Sequence, residues 1–258
     1  MNNSISFDRA ADFYDRTRDL PEPVATLGIQ AILDAAGTGA RILDAGTGTG
    51  RVSVPLLKRG ANLFGIDLST KMMSLLRTKF PPARLAQADV SRLPFGGETF
   101  DAVLTCHVMH LVGPWREALL EYRRVLKPKG VYINARTERV GDSAHETIRS
   151  HWRSQVAKHG YPFQRPGVKD DKELQDALST LGAEVTQVEV VRYPRTYVLR
   201  ELIDGIANRT HSHTWDVPED VLAKSLEELR TWAVREFGSL DKRFNEEACF
   251  VLDFSRFQ

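Results

Sequence analysis

The chain has 258 residues, of which 42% are hydrophobic, and its 35 Lys and Arg against 34 Asp and Glu give a formal net charge of +1. This length and composition suit one α/β domain with a substantial core and some insertions. The near-zero charge gives no electrostatic indication of a nucleic acid or of an anionic membrane as a partner, so we expect neither.

Two cysteines, Cys106 and Cys249, are too few for a disulfide scaffold and lack the second pair that a zinc site requires. No apolar stretch reaches the roughly 18 residues that span a bilayer, and the start "MNNSISFDRAADFYDR" lacks the basic and apolar regions of a signal peptide. We therefore expect a cytoplasmic protein in a reducing compartment. The oligomeric state stays open.

Residues 6–16 and 21–37 have the pattern of a short and a long helix, and from residue 41 short apolar runs alternate with segments of helical period. This alternation is typical of repeated βα units around a parallel sheet. Strands are predicted over residues 41–45, 61–67, 83–89, 99–108, 130–136, 183–191 and 248–257. Further helices are predicted over residues 51–60, 69–80, 114–127, 172–182 and 219–237.

These elements predict an α/β fold of the Rossmann-like kind, with a seven-stranded, mostly parallel sheet and helices on both faces. We expect one domain with helical insertions that serve as lids, because ligands of open α/β sheets bind beyond the carboxyl ends of the strands. Its predicted parts are N-terminal helices over 1–40, a core over 41–138, 169–193 and 244–258, and lid insertions over 139–168 and 194–243.

The stretch "ILDAGTGTG", residues 42–50, places a glycine-rich turn directly behind the first strand. The dinucleotide fingerprint Gly-x-Gly-x-x-Gly fails here, because its third glycine would fall on Arg51 or Ser53. No Walker motif is present either. The pattern that fits is Asp-x-Gly-x-Gly-x-Gly, formed by Asp44, Gly46, Gly48 and Gly50. Such a turn suits a ligand that needs close backbone approach rather than a phosphate cradle.

Five segments occur in order along the chain: "ILDAGTGTG", "FGIDLSTKMM", "QADVSRLPF", "FDAVLTCHVMHLV" and "RRVLKPKG". Together they resemble the class I S-adenosylmethionine-dependent methyltransferases, particularly the small-molecule group that includes the ubiquinone and menaquinone biosynthetic enzymes. The resemblance covers residues 7–136 by motif and the remainder by architecture. It implies S-adenosylmethionine as cofactor and a small organic molecule as methyl acceptor.

The resemblance also implies roles for particular residues. Asp67 would accept hydrogen bonds from the ribose hydroxyls, Asp89 would accept from the adenine amino group, and Asp44 would lie near the methionine end. A tyrosine near the N-terminus would cover the cofactor. The expected cofactor-binding set is Tyr14, Asp44, Gly46, Thr47, Gly48, Gly50, Asp67, Leu68, Met72, Asp89, Val90 and Cys106.

Methyl transfer from a sulfonium is an in-line displacement that depends mainly on alignment, with removal of a proton where the acceptor requires it. His107 and His110 after the fourth strand are candidates for a general base or an acceptor-orienting group. The alternative is that His107 lines the cofactor site and His110 packs. Cys106 is interpreted as a small buried residue rather than a nucleophile.

In the second insertion, "ANRTHSHTWDVPEDV" places His211, His213 and Trp215 before a helix, and we expect them to contact the acceptor. A metal bound by the His-x-His pair is the alternative, but no third ligand is identifiable, so no metal is expected. After the fourth strand the chain reads Cys-His-Val-Met, which lacks the motif of nucleobase amine methylation and the paired glutamates of protein arginine methyltransferases.

Two other functions stay open at this point. One is a non-catalytic S-adenosylmethionine-binding or regulatory protein on the same fold, since a fold does not prove turnover. The other is an NAD-dependent oxidoreductase, which Arg51 and Ser53 disfavour.

Overall fold

The computed structural model describes residues 4–257, so residues 1–3 of the predicted N-terminal segment and residue 258 of the predicted core lie outside it. The strands are β1 (Arg41–Ala45), β2 (Asn62–Asp67), β3 (Arg84–Gln87), β4 (Phe100–Cys106), β5 (Leu126–Val140), β6 (Ala183–Val198) and β7 (Arg243–Phe257). Within the described residues they form one seven-stranded sheet of order β3-β2-β1-β4-β5-β7-β6. Strands β1 to β5 pair in parallel. The predicted α/β fold with a mostly parallel sheet is confirmed.

The α-helices are α1 (Tyr14–Thr17), α2 (Ile29–Ala36), α3 (Ser53–Lys58), α4 (Thr70–Lys79), α5 (Trp115–Val125), α6 (Ala144–Lys158), α7 (Asp171–Thr180), α8 (Leu199–Ala207) and α9 (Glu219–Phe237). Short 3-10 helices cover Asp8–Ala10, Met109–Leu111 and Ser212–Thr214, and a π-helix over Val24–Gly28 precedes α2. Ser69 begins α4 as the sequence indicated, because its hydroxyl accepts a hydrogen bond from the Met72 amide at 3.1 Å.

Strands β5, β6 and β7 are longer than their apolar runs predicted. β6 continues to Val198 and β7 begins at Arg243, so parts of the predicted helical insertions are extended. These outer segments are polar and are held by cross-strand pairs, such as the Thr196 hydroxyl donating to the Asn245 side chain at 3.0 Å. Hydrophobic periodicity cannot detect strand ends of this kind, because long-range pairing stabilises them.

Two compact units divide the described chain. The first comprises residues 4–137, 166–191 and 250–257, and the second comprises Glu138–Arg165 and Arg192–Cys249. The central strands of the first unit are enclosed, with Leu43, Ile66 and Val103 fully buried. Within residues 4–257, no helix combines the length and apolar character needed to cross a membrane.

The second unit has an apolar core of its own, formed by α6, α8 and α9. Trp152, Ile203 and Leu229 are buried there. The Trp152 indole N–H donates to the buried Ser225 hydroxyl at 3.0 Å, which satisfies the polar atom of the largest side chain in this core. The assignment of the whole chain to one domain stays a prediction.

Candidate functional site

The glycine turn, residues 46–50, follows β1 and has positive φ angles of 96° at Gly46, 54° at Gly48 and 82° at Gly50. A Cβ atom on Gly46 would lie 2.4 Å from Val108 Cγ2, and one on Gly50 would lie 2.7 Å from Leu76 Cγ. Backbone conformation and packing therefore both require glycine at these two positions.

Gly48 differs from Gly46 and Gly50 because the space beside it is less crowded. A Cβ atom there would meet only Met72 Cε, at an ordinary contact distance of 3.6 Å. The Gly48 amide donates to Asp67 Oδ2 at 2.9 Å, which holds the turn against the end of β2. Of these three glycines, Gly48 is therefore the one beside which the protein leaves the most room.

Asp44 lies buried at 2% exposure before the turn. Its carboxylate accepts a hydrogen bond from the Ser53 hydroxyl, and Ser53 Oγ is 2.6 Å from Thr47 Oγ1. Burial raises the pKa of Asp44 to about 6; the hydrogen bonds from Ser53 and Thr47 act against this rise, and the charge of Asp67 adds to it. Asp44 therefore connects the turn to the first residue of α3.

Asp67 ends β2, half-buried, and both of its oxygens accept hydrogen bonds from the backbone. Oδ2 accepts from the Gly48 amide at 2.9 Å and Oδ1 accepts from the Ser69 amide at 2.8 Å. Burial raises the pKa of Asp67, while these hydrogen bonds lower it. Each carboxylate oxygen has two lone-pair sites, so Asp67 retains capacity for hydroxyl donors.

The ends of β2 and β3 are joined by a hydrogen bond from the Gln87 side chain to the Leu68 carbonyl at 2.9 Å. Asp89 follows β3, and its Oδ1 accepts from the Ser91 amide at 2.9 Å and the Ser91 hydroxyl at 2.8 Å. Val90 is buried at 7% exposure. These contacts fix the loop that the sequence predicts to hold the adenine ring.

The N-terminal segment is attached to this edge of the sheet by two aspartates that the sequence interpretation missed. Asp8 Oδ1 accepts from the Ser69 hydroxyl at 2.5 Å, and Asp15 Oδ1 accepts from the Thr49 hydroxyl at 2.6 Å. Lys79 forms an ion pair with Asp15 at 2.6 Å. The only sequence signal was the acidic pattern in "FDRAADFYD", which is equally typical of an exposed helix.

Tyr14 and Arg18 lie together within that segment, with the Arg18 guanidinium carbon 4.7 Å from the centre of the Tyr14 ring. Burial raises the pKa of Tyr14, the charges of Arg18 and Arg51 lower it, and Cys106 and Asp67 raise it. These electrostatic influences place Tyr14 near the ends of β2 and β4. The role of Tyr14 in covering the cofactor stays a prediction.

Arg51 directly follows the glycine turn, and its Nε is buried with no hydrogen-bond partner among residues 4–257. Its charge also acts on Cys106 and His107. A buried guanidinium N–H without an acceptor is costly, so it favours a negatively charged group beside it. The sequence interpretation used Arg51 only to exclude a dinucleotide and missed this feature.

His107 follows β4 with a φ of 57°, a left-handed conformation that is uncommon for residues other than glycine. Burial lowers its pKa to about 3, and the positive charges of Arg51, His110, Arg18 and Arg136 lower it further. The ring is therefore neutral near pH 7. Burial also raises the pKa of the adjacent Cys106 thiol to about 11, which keeps it protonated.

His110 lies in the 3-10 helix Met109–Leu111, whereas His107 precedes that helix. They are nevertheless close enough for His110 to lower the pKa of His107.

The predicted acceptor residues all belong to the second unit. Trp215 is buried, and its indole N–H donates to the Arg209 carbonyl at 2.9 Å. The rings of His211 and His213 are stacked with centres 5.5 Å apart. Among residues 4–257 no group of three or more His, Cys, Asp or Glu side chains is arranged to hold a metal ion.

Comparison with known proteins agrees with this geometry. A family model described as a methyltransferase domain matches residues 43–134, from β1 into β5. An uncharacterized methyltransferase of Mycobacterium tuberculosis is 32% identical over 232 residues, which cover 88% of this chain and 85% of that protein. The chain belongs to the class I S-adenosylmethionine-dependent methyltransferases. S-adenosylmethionine is the cofactor of this methyltransferase.

Two other similarities either cover less of the chain or have a lower sequence identity. A demethylmenaquinone methyltransferase of Beutenbergia cavernae is 36% identical over 136 residues, covering 50% of this chain and 55% of that protein. A solved structure of a putative methyltransferase from an antibiotic biosynthesis pathway of Anabaena variabilis has a TM-score of 0.61 at 14% identity, covering 92% of this chain and all of that one. The latter shows the shared fold.

Proposed function

We propose that the enzyme transfers the methyl group of S-adenosylmethionine to a small organic acceptor, by in-line displacement that depends mainly on positioning. The observation that carries this proposal is the contact of Asp67 with the glycine turn: its Oδ2 accepts from the Gly48 amide at 2.9 Å, and the carboxylate keeps lone pairs for ribose hydroxyls. The demethylmenaquinone methyltransferase relative matches only half of this chain, so its name does not identify the acceptor.

The residues at the ends of the first three strands would hold the nucleoside part of the cofactor. Asp67 would accept from the ribose hydroxyls with lone pairs that the backbone leaves free. Asp89 and the Val90 amide would face the adenine, between the apolar side chains of Leu68 and Met72.

The cationic groups near the turn would hold the methionine end. Arg51 supports this assignment because its buried Nε lacks an acceptor, and a carboxylate would supply one. Arg18 adds a second positive charge nearby, since its pKa is lowered by burial and by Arg51. The Asp44 carboxylate, which accepts from Ser53, would hold the turn in place and lie toward the ammonium group.

S-adenosylmethionine, when bound, supplies an electrophilic methyl group on a positively charged sulfur. The chain contributes alignment and exclusion of water: Tyr14 covers the site, and the fixed backbone of the turn limits movement. A neutral His107 would orient the acceptor through a ring nitrogen. With a pKa lowered to about 3, His107 is a weak proton acceptor, so orientation outweighs proton removal. His110 is the second candidate for proton transfer.

The experiment has two stages. Calorimetry with S-adenosylmethionine, S-adenosylhomocysteine and NAD measures which ligand the purified chain binds. Release of S-adenosylhomocysteine across a library of small metabolites then identifies acceptors. We expect binding of both adenosyl compounds, no binding of NAD, and release with small organic acceptors. Binding without release across the library, or release only with nucleic acid or protein substrates, would contradict the proposed acceptor class.

A further inference from the structure

The second unit contains two arginine–histidine pairs. Arg139 Nη2 lies 3.1 Å from His145 Nε2, and Arg149 Nη2 lies 3.3 Å from His213 Nδ1. A guanidinium has only donors, so the histidine nitrogen in each pair is the acceptor. The proton of each neutral ring therefore resides on its other nitrogen.

Those other nitrogens have no acceptor. His145 Nδ1 and His213 Nε2 are buried without a hydrogen-bond partner among residues 4–257, and so are the Nε atoms of Arg139 and Arg149. Four buried N–H groups in one set of four residues are thus unsatisfied. Most buried polar groups in folded proteins are hydrogen-bonded, so a concentration of this kind requires an explanation. We call Arg139, His145, Arg149 and His213 the arginine–histidine cluster.

Positive charge is concentrated in this cluster. Burial lowers the pKa of His145 to about 2, and the charges of Arg139 and Arg149 contribute, which places both pairs within electrostatic reach of each other. Burial also lowers the pKa of Arg149 to about 10; Glu146 opposes this shift, while Arg153, Arg139 and Arg165 add to it. The cluster therefore disfavours further cations, including a metal ion, and favours an anion.

The acidic side chains beside the cluster have other partners. Glu146 forms an ion pair with Arg153. Glu246 accepts from the Ser143 hydroxyl at 2.6 Å and from the backbone amide of His145 at 3.1 Å. Neither carboxylate satisfies the four unpaired N–H groups, so the anion they require is not supplied by these two residues.

Aromatic side chains surround the cluster and lower the local polarity. The Tyr197 ring centre is 5.0 Å from that of His145, and the ring centres of Trp152 and Phe163 are 5.6 Å and 5.8 Å from that of His213. Away from water, an unpaired donor costs more and a charge-assisted hydrogen bond to an anion is stronger. The surroundings thus increase the preference for a bound anion.

We infer that the arginine–histidine cluster binds an oxyanion, as the carboxylate or phosphate group of a small molecule. The inference is independent of the proposed function, because all four residues of the cluster and the contacts cited for them lie within the second unit. The class of ligand is then a small organic acid or phosphate ester. Its oxygens would accept from the four N–H groups that the protein leaves unsatisfied.

The test measures thermal unfolding of the full chain with inorganic phosphate or succinate, against sodium chloride at equal ionic strength. Succinamide serves as the uncharged analogue of succinate. The variants are Arg149→Met and Arg139→Met, and Arg235→Met on the exposed side of α9 is the matched control. The control measures the general stabilisation that phosphate gives to many proteins by exclusion from their surfaces.

We expect at least one of the two anions to raise the melting temperature of the wild type and of Arg235→Met. The rise should be roughly 5 °C at an anion concentration about 100 times the dissociation constant. If only phosphate raises the melting temperature, the ligand is a phosphate ester. If succinate raises it and succinamide does not, the ligand is a carboxylic acid. Arg149→Met and Arg139→Met should lose the response. Without anion, Arg149→Met should melt no lower than the wild type, because it removes a buried charge that lacks a counterion.

Equal responses in all four proteins, or no response in the wild type, would overturn the inference. The inference would also be overturned if, without anion, Arg149→Met melts well below the wild type, since Arg149 would then have a structural role. Calorimetry with S-adenosylhomocysteine on the same samples separates this failure from failure of the proposed function. Intact adenosyl binding with no anion response contradicts the inference alone.

Discussion

The carboxylates beside the glycine turn of the first unit and the nitrogen atoms of the arginine–histidine cluster of the second unit differ in whether the chain supplies their hydrogen-bond partners. The carboxylates beside the turn have internal donors: Asp44 accepts from Ser53, and Asp67 accepts from the Gly48 and Ser69 amides. The cluster leaves four buried nitrogen atoms without acceptors. The turn is therefore assembled before a ligand binds, whereas the cluster is completed by its ligand.

This difference separates two effects of substitution. Changes in the turn should reduce folding stability before they affect chemistry, because the turn is packed and hydrogen-bonded without ligand. Changes in the cluster should reduce ligand binding while leaving stability equal or higher, because they remove charges whose burial is unfavourable.

The largest effect is expected for Gly50→Ala. The added Cβ atom would lie 2.7 Å from Leu76 Cγ at a φ of 82°. Overpacking and left-handed strain together should lower the free energy of unfolding by about 2–5 kcal/mol. Urea denaturation measures the change. Gly60→Ala is the matched control, because Gly60 has a φ of 81° but no heavy atom within 4 Å of the new Cβ. Equal losses in the two variants would mean that packing around the turn is not tight.

Asp44→Asn should change the dependence of stability on pH. The folded pKa of Asp44 is raised to about 6, above its usual value of 3.8, so the ionised wild type loses stability as pH rises between these values. Between about pH 4 and pH 7, the free energy of unfolding of Asp44→Asn should rise by roughly 2–3 kcal/mol relative to that of the wild type, since one pKa unit corresponds to about 1.4 kcal/mol. Urea denaturation at both pH values measures this gain. If the difference in unfolding free energy between the variant and the wild type is the same at both pH values, burial does not disfavour the Asp44 charge.

The smallest of the three effects concerns Asp67→Ala. If Asp67 accepts the ribose hydroxyls, its removal should weaken binding of S-adenosylhomocysteine by about 1.5–3 kcal/mol, the range for hydrogen bonds to a charged group. Calorimetry measures the affinity, and Asp142→Ala at an exposed position is the control. Unchanged affinity in a folded Asp67→Ala chain would remove Asp67 from the ribose site and restrict its role to holding Gly48.

Local patterns in the sequence predicted much of the first unit. The apolar run of β1 and the cap at Ser69 are recognisable within a few residues, and the structure has both. The ends of β6 and β7 were missed because cross-strand pairs such as Thr196 with Asn245 stabilise polar residues far apart in sequence.

The candidate site shows the same division. The glycines were recognised from their spacing within a turn of a few residues, and the role of Asp67 was implied by the resemblance to the family. Asp8 and Asp15 were not, because their partners Ser69 and Thr49 lie in other elements. The sequence pointed to His213 through its neighbour His211, but nothing in it paired His213 with Arg149.

By itself the sequence determined the α/β fold, the methyltransferase family and the position of the glycine turn, because each depends on short-range periodicity or on an ordered series of local motifs. Only the tertiary structure decided which polar groups are satisfied. Arg149 and His213 are distant in sequence yet lie 3.3 Å apart, and the absence of an acceptor for their remaining nitrogens within residues 4–257 is a property of the folded environment. Burial turns these two side chains from ordinary polar residues into candidates for anion binding.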